Sequence, residues 1–231
     1  MNRTFLMALA AALALSGTAS AGSLLLTPDQ YPPAQLLPPP PADGSPEAKA
    51  EMDELHHIQD TRTKKQFAAA MRDYKDEDIT AFVGVIGPKF NLAKLPKTAA
   101  LFAQVKAEER AAGKLAKDYF QRNRPWVIDP SLKSCAQSDA AKSSYPSGHA
   151  TLAYSMTFVL SALVPKKSEA LMARAKQYSE NRLVCGMHYR RDIVAGQILG
   201  TDVALDLMQN RTFQQEFDAA KAELRATRIT R

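Results

Sequence analysis

Three short stretches carry side chains suited to holding an anion. In KDYFQRNRP, Lys117 and Arg124 stand seven residues apart on an expected helix, nearly two turns, so both cations fall on almost one face; Pro125 ends that helix beside Arg124. In YPSGHAT, the residues Pro146, Ser147 and Gly148 precede His149 and a long apolar run. This reads as a helix start whose first N–H groups lack intrahelical partners, a natural seat for an anion. Gly148 lets a ligand approach the main chain, and Ser147 serves either as N-cap or as a donor to the anion. The third stretch, NRLVCGMHYRRD, contains Arg182, His188 and Asp192. His188 and Asp192 are four apart after the break at Gly186, so on a new helix the carboxylate reaches one imidazole nitrogen and leaves the other free. That is the geometry of an oriented, activated histidine.

Singly, each stretch also has a plain reading: a solvated basic face, a serine cap, a surface His/Asp contact. Together, in the order K-x6-RP, PSGH, R-x5-H-x3-D, they resemble the type 2 phosphatidic acid phosphatase superfamily at all ten positions. The segments LLPPPP, SYPSGH and CGMH, and a C-terminal helix ending in mixed charges, look like the soluble bacterial class A non-specific acid phosphatases. The resemblance covers most of the chain after residue 21, more loosely between Met52 and Arg110. Three positions depart from it: Asn181 where the family has Ser, Tyr189 where it has Trp, and Ala150 where it has Ser or Thr. Tyr189, Arg190 and Arg191 are expected to alter how leaving groups are received.

The resemblance implies an all-α phosphoric monoester hydrolase with His188 as nucleophile, oriented by Asp192, and His149 as general acid and then base. Lys117, Arg124, Arg182, Ser147 and the Gly148 N–H would bind the phosphoryl oxygens, because catalysis of phosphoryl transfer rests on preplaced positive charge. No cofactor or metal is expected, since three cations already face the phosphate and no metal-ligand cluster stands out. Expected substrates are small organic phosphate monoesters, nucleotides among them. The competing readings are a vanadium-dependent haloperoxidase, whose pocket uses the same residue types, and a phosphate-binding protein without turnover. The second leaves both histidines unexplained.

These groups need a scaffold. The chain has 231 residues and a formal net charge of +6. Residues 1–21 read as a signal peptide: Arg3, an apolar stretch from Phe5 to Leu15, and an A-x-A site at Ala19-Ser20-Ala21. Export to the periplasm or the outside follows. Mixed charges argue against a nucleic-acid polymer as partner, and no later stretch is long and apolar enough for a membrane span, while a homo-oligomer stays open. The only two cysteines, Cys135 and Cys185, are expected to form one disulfide in an oxidising compartment, with a pair of buried free thiols as the alternative.

Eight of the fourteen prolines lie between Pro28 and Pro46. Residues 22–45 therefore read as extended and non-helical, either a disordered linker or, as the apolar residues favour, an arm laid over the domain with Tyr31, Leu36 and Leu37 as anchors. Residues 46–231 form the expected helical domain, with helices near 46–74, 76–84, 96–122, 148–164, 167–184, 189–209 and 211–226. The pair His56-His57 matches no motif and is read as surface.

Overall fold

The computed structural model describes residues 23–137 and 140–229, so the signal-peptide expectation falls outside the described residues. Those residues are helical and contain no strand. None of their helices is long and apolar enough to cross a membrane.

Local hydrogen bonding explains where the helices begin and where the expected boundaries shift. Helix α1 (Pro33–Leu36) is a single turn, and a 3-10 turn precedes it at Pro28–Gln30. The arm is thus not free of helix as expected: prolines open both turns, at positions where no intrahelical N–H is needed. Leu26, Tyr31 and Leu37 are buried, and Leu36 packs against the same core. Helix α2 (Pro46–Thr61) starts under Ser45, whose hydroxyl accepts from Ala48 N. The single helix expected over 46–74 is two. Arg62 and Thr63 are extended, and Thr63 with Gln66 forms a reciprocal capping box that starts α3 (Lys64–Lys75). The helix expected at 76–84 is a 3-10 turn at Ile79–Phe82 followed by α4 (Val83–Ile86), because the Asp78 side chain takes the Thr80 N–H.

Helix α5 (Pro96–Phe120) stops at Gln121, whose φ of 52° is left-handed. The chain then runs extended to a one-turn α6 (Pro125–Ile128). After a loop come α7 (Gly148–Leu163), α8 (Ser168–Val184), α9 (Arg190–Gln209) and α10 (Arg211–Ala226), the last capped by Asn210.

Helix α7 is the centre of the packing. It buries Leu152, Ala153, Met156, Val159, Leu160 and Leu163, and lies against α9, α8 and α5. Its apolar residues point in most directions, as expected of a helix enclosed by others. The α7–α9 crossing is made by backbone: a Cβ at Gly196 would come within 3.0 Å of Ser147 O and Ala150 Cβ, and one at Gly200 would collide with Thr151 O. Ala150, one of the departures, is therefore a small residue filling a small space. The crossing fixes the first turn of α7, which carries His149, against the first turns of α9, which carry Asp192.

Cys135 and Cys185 are joined, with Cα atoms 4.9 Å apart and a sequence separation of 50. Beside the bond, Cys135 N donates to Cys185 O at 2.8 Å. The bridge ties the loop after α6 to the turn between α8 and α9.

Two outcomes test this packing. Gly200→Ala should destabilise the fold by roughly 1–3 kcal/mol through overpacking, whereas Gly84→Ala, whose new methyl meets nothing within 4 Å, should hold or raise the melting temperature. Equal melting of the two variants would contradict the backbone contact. A Cys135→Ser/Cys185→Ser double variant should lose up to about 4 kcal/mol, the loop-closure value for this separation, measured by denaturant titration.

Candidate active site

The three stretches converge at the ends of α5, α7 and α8 and the start of α9. Lys117 occupies the last turn of α5, and its ammonium donates to Ser143 O at 2.8 Å and to Pro146 O. Arg124 does not share that helix, contrary to the helical spacing expected. The left-handed Gln121 ends α5, and residues 122–124 run beside 141–144, with Arg124 N donating to Ala141 O and Ser144 N to Arg122 O. In an extended segment residues two apart point the same way. Arg122 and Arg124 accordingly reach Asp192 and His188.

His188 is 2 % exposed, and its two nitrogens have distinct partners. Nδ1 lies 2.8 Å from Ser144 O, a pure acceptor, so Nδ1 carries the proton. Nε2 then bears the lone pair and accepts from Arg124 Nη1 at 2.7 Å. The carboxylate expected to hold this ring stands further off, with Asp192 Oδ2 3.4 Å from Nδ1. Asp192 acts mainly through its neighbours: it accepts from the Ser144 hydroxyl, whose backbone carbonyl holds His188, from Tyr189 N at 2.9 Å and from Arg122 Nη1 at 2.7 Å.

Arg122 was not among the residues singled out from sequence. It is buried, and its other terminal nitrogen bonds Glu51 at 2.6 Å, while Glu51 also accepts from Arg191 N. The Arg122 guanidinium lies over the Tyr189 ring, 4.1 Å from its centroid. Tyr189 is thus a platform for Arg122, and Arg190 pairs with Glu54 and Glu180. Neither these two nor Arg191 lines the cavity beside His149, so any influence they have on leaving groups passes through neighbours such as Arg122.

His149, in the first turn of α7, is 9 % exposed and packs on the Tyr178 ring. Its Nε2 lies 3.2 Å from Tyr74 O and 3.7 Å from Glu77 Oε1. Tyr74 is held in turn through Asp73, which accepts two bonds from Arg174 and one from Asn181 Nδ2 at 2.7 Å. The departure at Asn181 therefore supplies an amide to the wall that touches His149. Ser147 takes the cap role, its hydroxyl accepting from Ala150 N at 3.4 Å, and Gly148 opens the helix. His56, read as surface, is half-buried and bonds Asp129 at 2.9 Å, linking α2 to the loop after α6.

Arg182 completes the cluster. It is 2 % exposed, its guanidinium lies over the Tyr74 ring, and its Nε and Nη1 have no partner among the described residues. Among those residues no carboxylate pairs with Lys117, Arg124 or Arg182, and no three His, Cys, Asp or Glu side chains gather in a metal-binding group. Uncompensated charge in a packed site shifts the proton affinities of its members. Burial and then the neighbouring Arg124 push the Lys117 ammonium down to about 7. Burial lowers Arg124 and Arg182 to about 10, which leaves both charged at neutral pH. Burial and the surrounding cations hold both His149 and His188 well below 6.5. The site therefore presents neutral imidazoles within a positive field that an oxyanion would complete.

The chain is 27% identical over 205 residues to a protein named acid phosphatase from Zymomonas mobilis subsp. mobilis, covering 86% of this chain and 77% of that one. It is 29% identical over 197 residues to the non-specific acid phosphatase of Salmonella typhi, covering 81% and 78%, and 28% identical over 204 residues to that of Providencia stuartii, covering 81% and 79%. Residues 99–215, which hold every charged group and both histidines of the cluster except the Glu51 and Asp73–Glu77 supports, match a superfamily as a whole, and the chain belongs to the PAP2 superfamily.

Proposed function

We propose that this protein is an acid phosphatase that hydrolyses small organic phosphate monoesters, nucleotides among them, through a phosphohistidine on His188. One observation carries the reading: a neutral imidazole whose lone pair lies among three cations that lack carboxylate partners. The names of the relatives support the activity. The disulfide fits an oxidising compartment, and with the signal sequence at 1–21 it supports export to the periplasm or beyond.

In the proposed mechanism a phosphate ester enters with its non-bridging oxygens on Lys117, Arg124, Arg182 and the first N–H groups of α7. Arg124 turns from His188 Nε2 to the phosphate and releases the lone pair. Nε2 attacks phosphorus, the N–P bond forms, and the ester P–O bond breaks. Nδ1–H remains on Ser144 O, so the positive charge that develops on His188 lies beside the Asp192 carboxylate. His149 gives its proton to the departing alkoxide. It later takes a proton from water, whose oxygen bonds phosphorus as the N–P bond breaks.

His149 must be protonated for the first step, although burial and cations keep it neutral in the free enzyme. The substrate's negative charge offsets those cations, so binding itself restores basicity to His149. Acid conditions suit the whole set. His188 stays neutral, and hence nucleophilic, well below pH 6.5, while Lys117 is charged below about 7 and loses its proton above it.

Two measurements test this. With p-nitrophenyl phosphate, His188→Ala should abolish both turnover and acid-quenched phosphoenzyme, whereas His149→Ala should lose roughly 10²–10⁴-fold in turnover yet still accumulate label on His188. Label on another residue, or none in a wild type that turns over, would overturn the phosphohistidine. Beyond the fall that His149 sets at lower pH in the free enzyme, the kcat/KM profile should show a further alkaline limb with an apparent pKa near 7, because deprotonation of Lys117 removes one of three charges from the anion seat. In Lys117→Arg that limb should move to higher pH; a limb that stays put assigns it to another group.

A further inference from the structure

A cavity of about 300 Å³ opens beside Lys117 and His149, and its wall includes Glu109, Gly113, Lys117, Gly148 and Leu152. Glu109, Gly113 and Lys117 follow one another at intervals of four along α5, so they form one ridge on the helix surface. Lys117 stands at the anion end. Eight residues of helix, a rise of about 12 Å, separate it from Glu109.

Two features of the ridge are unexplained by packing. Gly113 lies in the interior of a long helix, where glycine is less favourable than alanine. It is buried, yet a Cβ built on it would meet nothing within 4 Å, so the absent side chain enlarges the cavity instead of admitting a neighbour. Glu109 is 3 % exposed, and no hydrogen bond reaches its carboxyl from the described residues. Burial pushes it up to about 8, and the phosphatase mechanism above does not use it.

We propose that the Glu109–Gly113–Lys117 ridge is the leaving-group subsite, in which Gly113 admits, and Glu109 reads, the far end of a leaving group of nucleoside length. This rests on the phosphatase reading and adds which residues choose among its substrates. A protonated carboxyl offers an O–H donor and a C=O acceptor side by side. That pair complements an uncharged ring edge or sugar hydroxyl carrying both kinds of group, and short leaving groups do not reach it. The leaving-group oxygen stays at the His149 end of the cavity, so selection at Glu109 is separated from proton donation.

The test compares 5′-AMP with glycerol 2-phosphate as the ratio of kcat/KM values, and 5′-AMP with inorganic phosphate as the ratio of affinities, 1/Kd. Gly113→Leu should lower both ratios at least tenfold, chiefly through KM and Kd for AMP, and Gly113→Ala should lower them less while raising the melting temperature. Glu109→Leu should lower both ratios. Glu109→Gln, which keeps a neutral donor and acceptor, should retain them at pH 6 and should remove the decline expected of wild type above pH 8. Unchanged ratios in a folded Gly113→Leu, or in Glu109→Leu, overturn the subsite. A wild type that turns over neither ester overturns the phosphatase reading instead, and the Kd ratios then decide the subsite alone.

Discussion

Asp192 has no contact with solvent, and the positions of four separate stretches depend on its two oxygens. Arg122 brings the segment after α5 to it, with Glu51 of α2 behind. Ser144 brings the loop before α7, and the Tyr189 N–H brings the start of α9. A buried carboxylate left without partners would be very costly, so each of these groups is needed and each fixes a chain direction. His188 inherits its orientation from the same network, because the residue whose hydroxyl bonds Asp192 also supplies the carbonyl that holds Nδ1. In the proposed reaction this carboxylate also answers the charge that arises on the imidazole.

Around that network the fold works as a frame that brings helix ends together. The α7–α9 crossing, made by glycine backbone, sets His149 relative to Asp192, and the disulfide holds the turn that leads into His188. The third wall comes from the end of α3, where Tyr74 offers its carbonyl to His149 and its ring to Arg182. Asp73 clamps that wall to α8 through Arg174 and Asn181. On the proposed mechanism a proton-handling group and an anion-binding group thus share one support. A displacement of α3 would disturb both at once.

Much of this was legible in the sequence because helix signals are local. Proline at the helix starts, Ser147 as cap, and apolar intervals of three and four give the start of α2 and both ends of α5, α7, α8, α9 and α10 close to where they are observed. The ordered motifs picked out Lys117, Arg124, Ser147, His149, Arg182, His188 and Asp192, and these do come together in space. What escaped was set by tertiary contact. A left-handed Gln121 cannot be told from a helical one by type, so Lys117 and Arg124 were placed on one helix. Arg122 sits in the same stretch as both, and nothing marks it until Asp192 arrives from 70 residues away. Tyr74 reaches His149 through its main chain, which no side-chain pattern encodes.

The hydrogen bond from Arg124 to His188 Nε2 has a meaning beyond geometry. The Nε2 lone pair, the nucleophile of the proposed mechanism, is capped by the same guanidinium that an incoming oxyanion would claim. On the proposed mechanism, an electrophile that brings no oxyanion leaves the cap in place, whereas a phosphate ester removes it by binding. Discrimination between the correct reaction and chance modification of the histidine would then lie in this exchange of partners more than in any steric barrier, and the nucleophile would be armed only in the presence of its target.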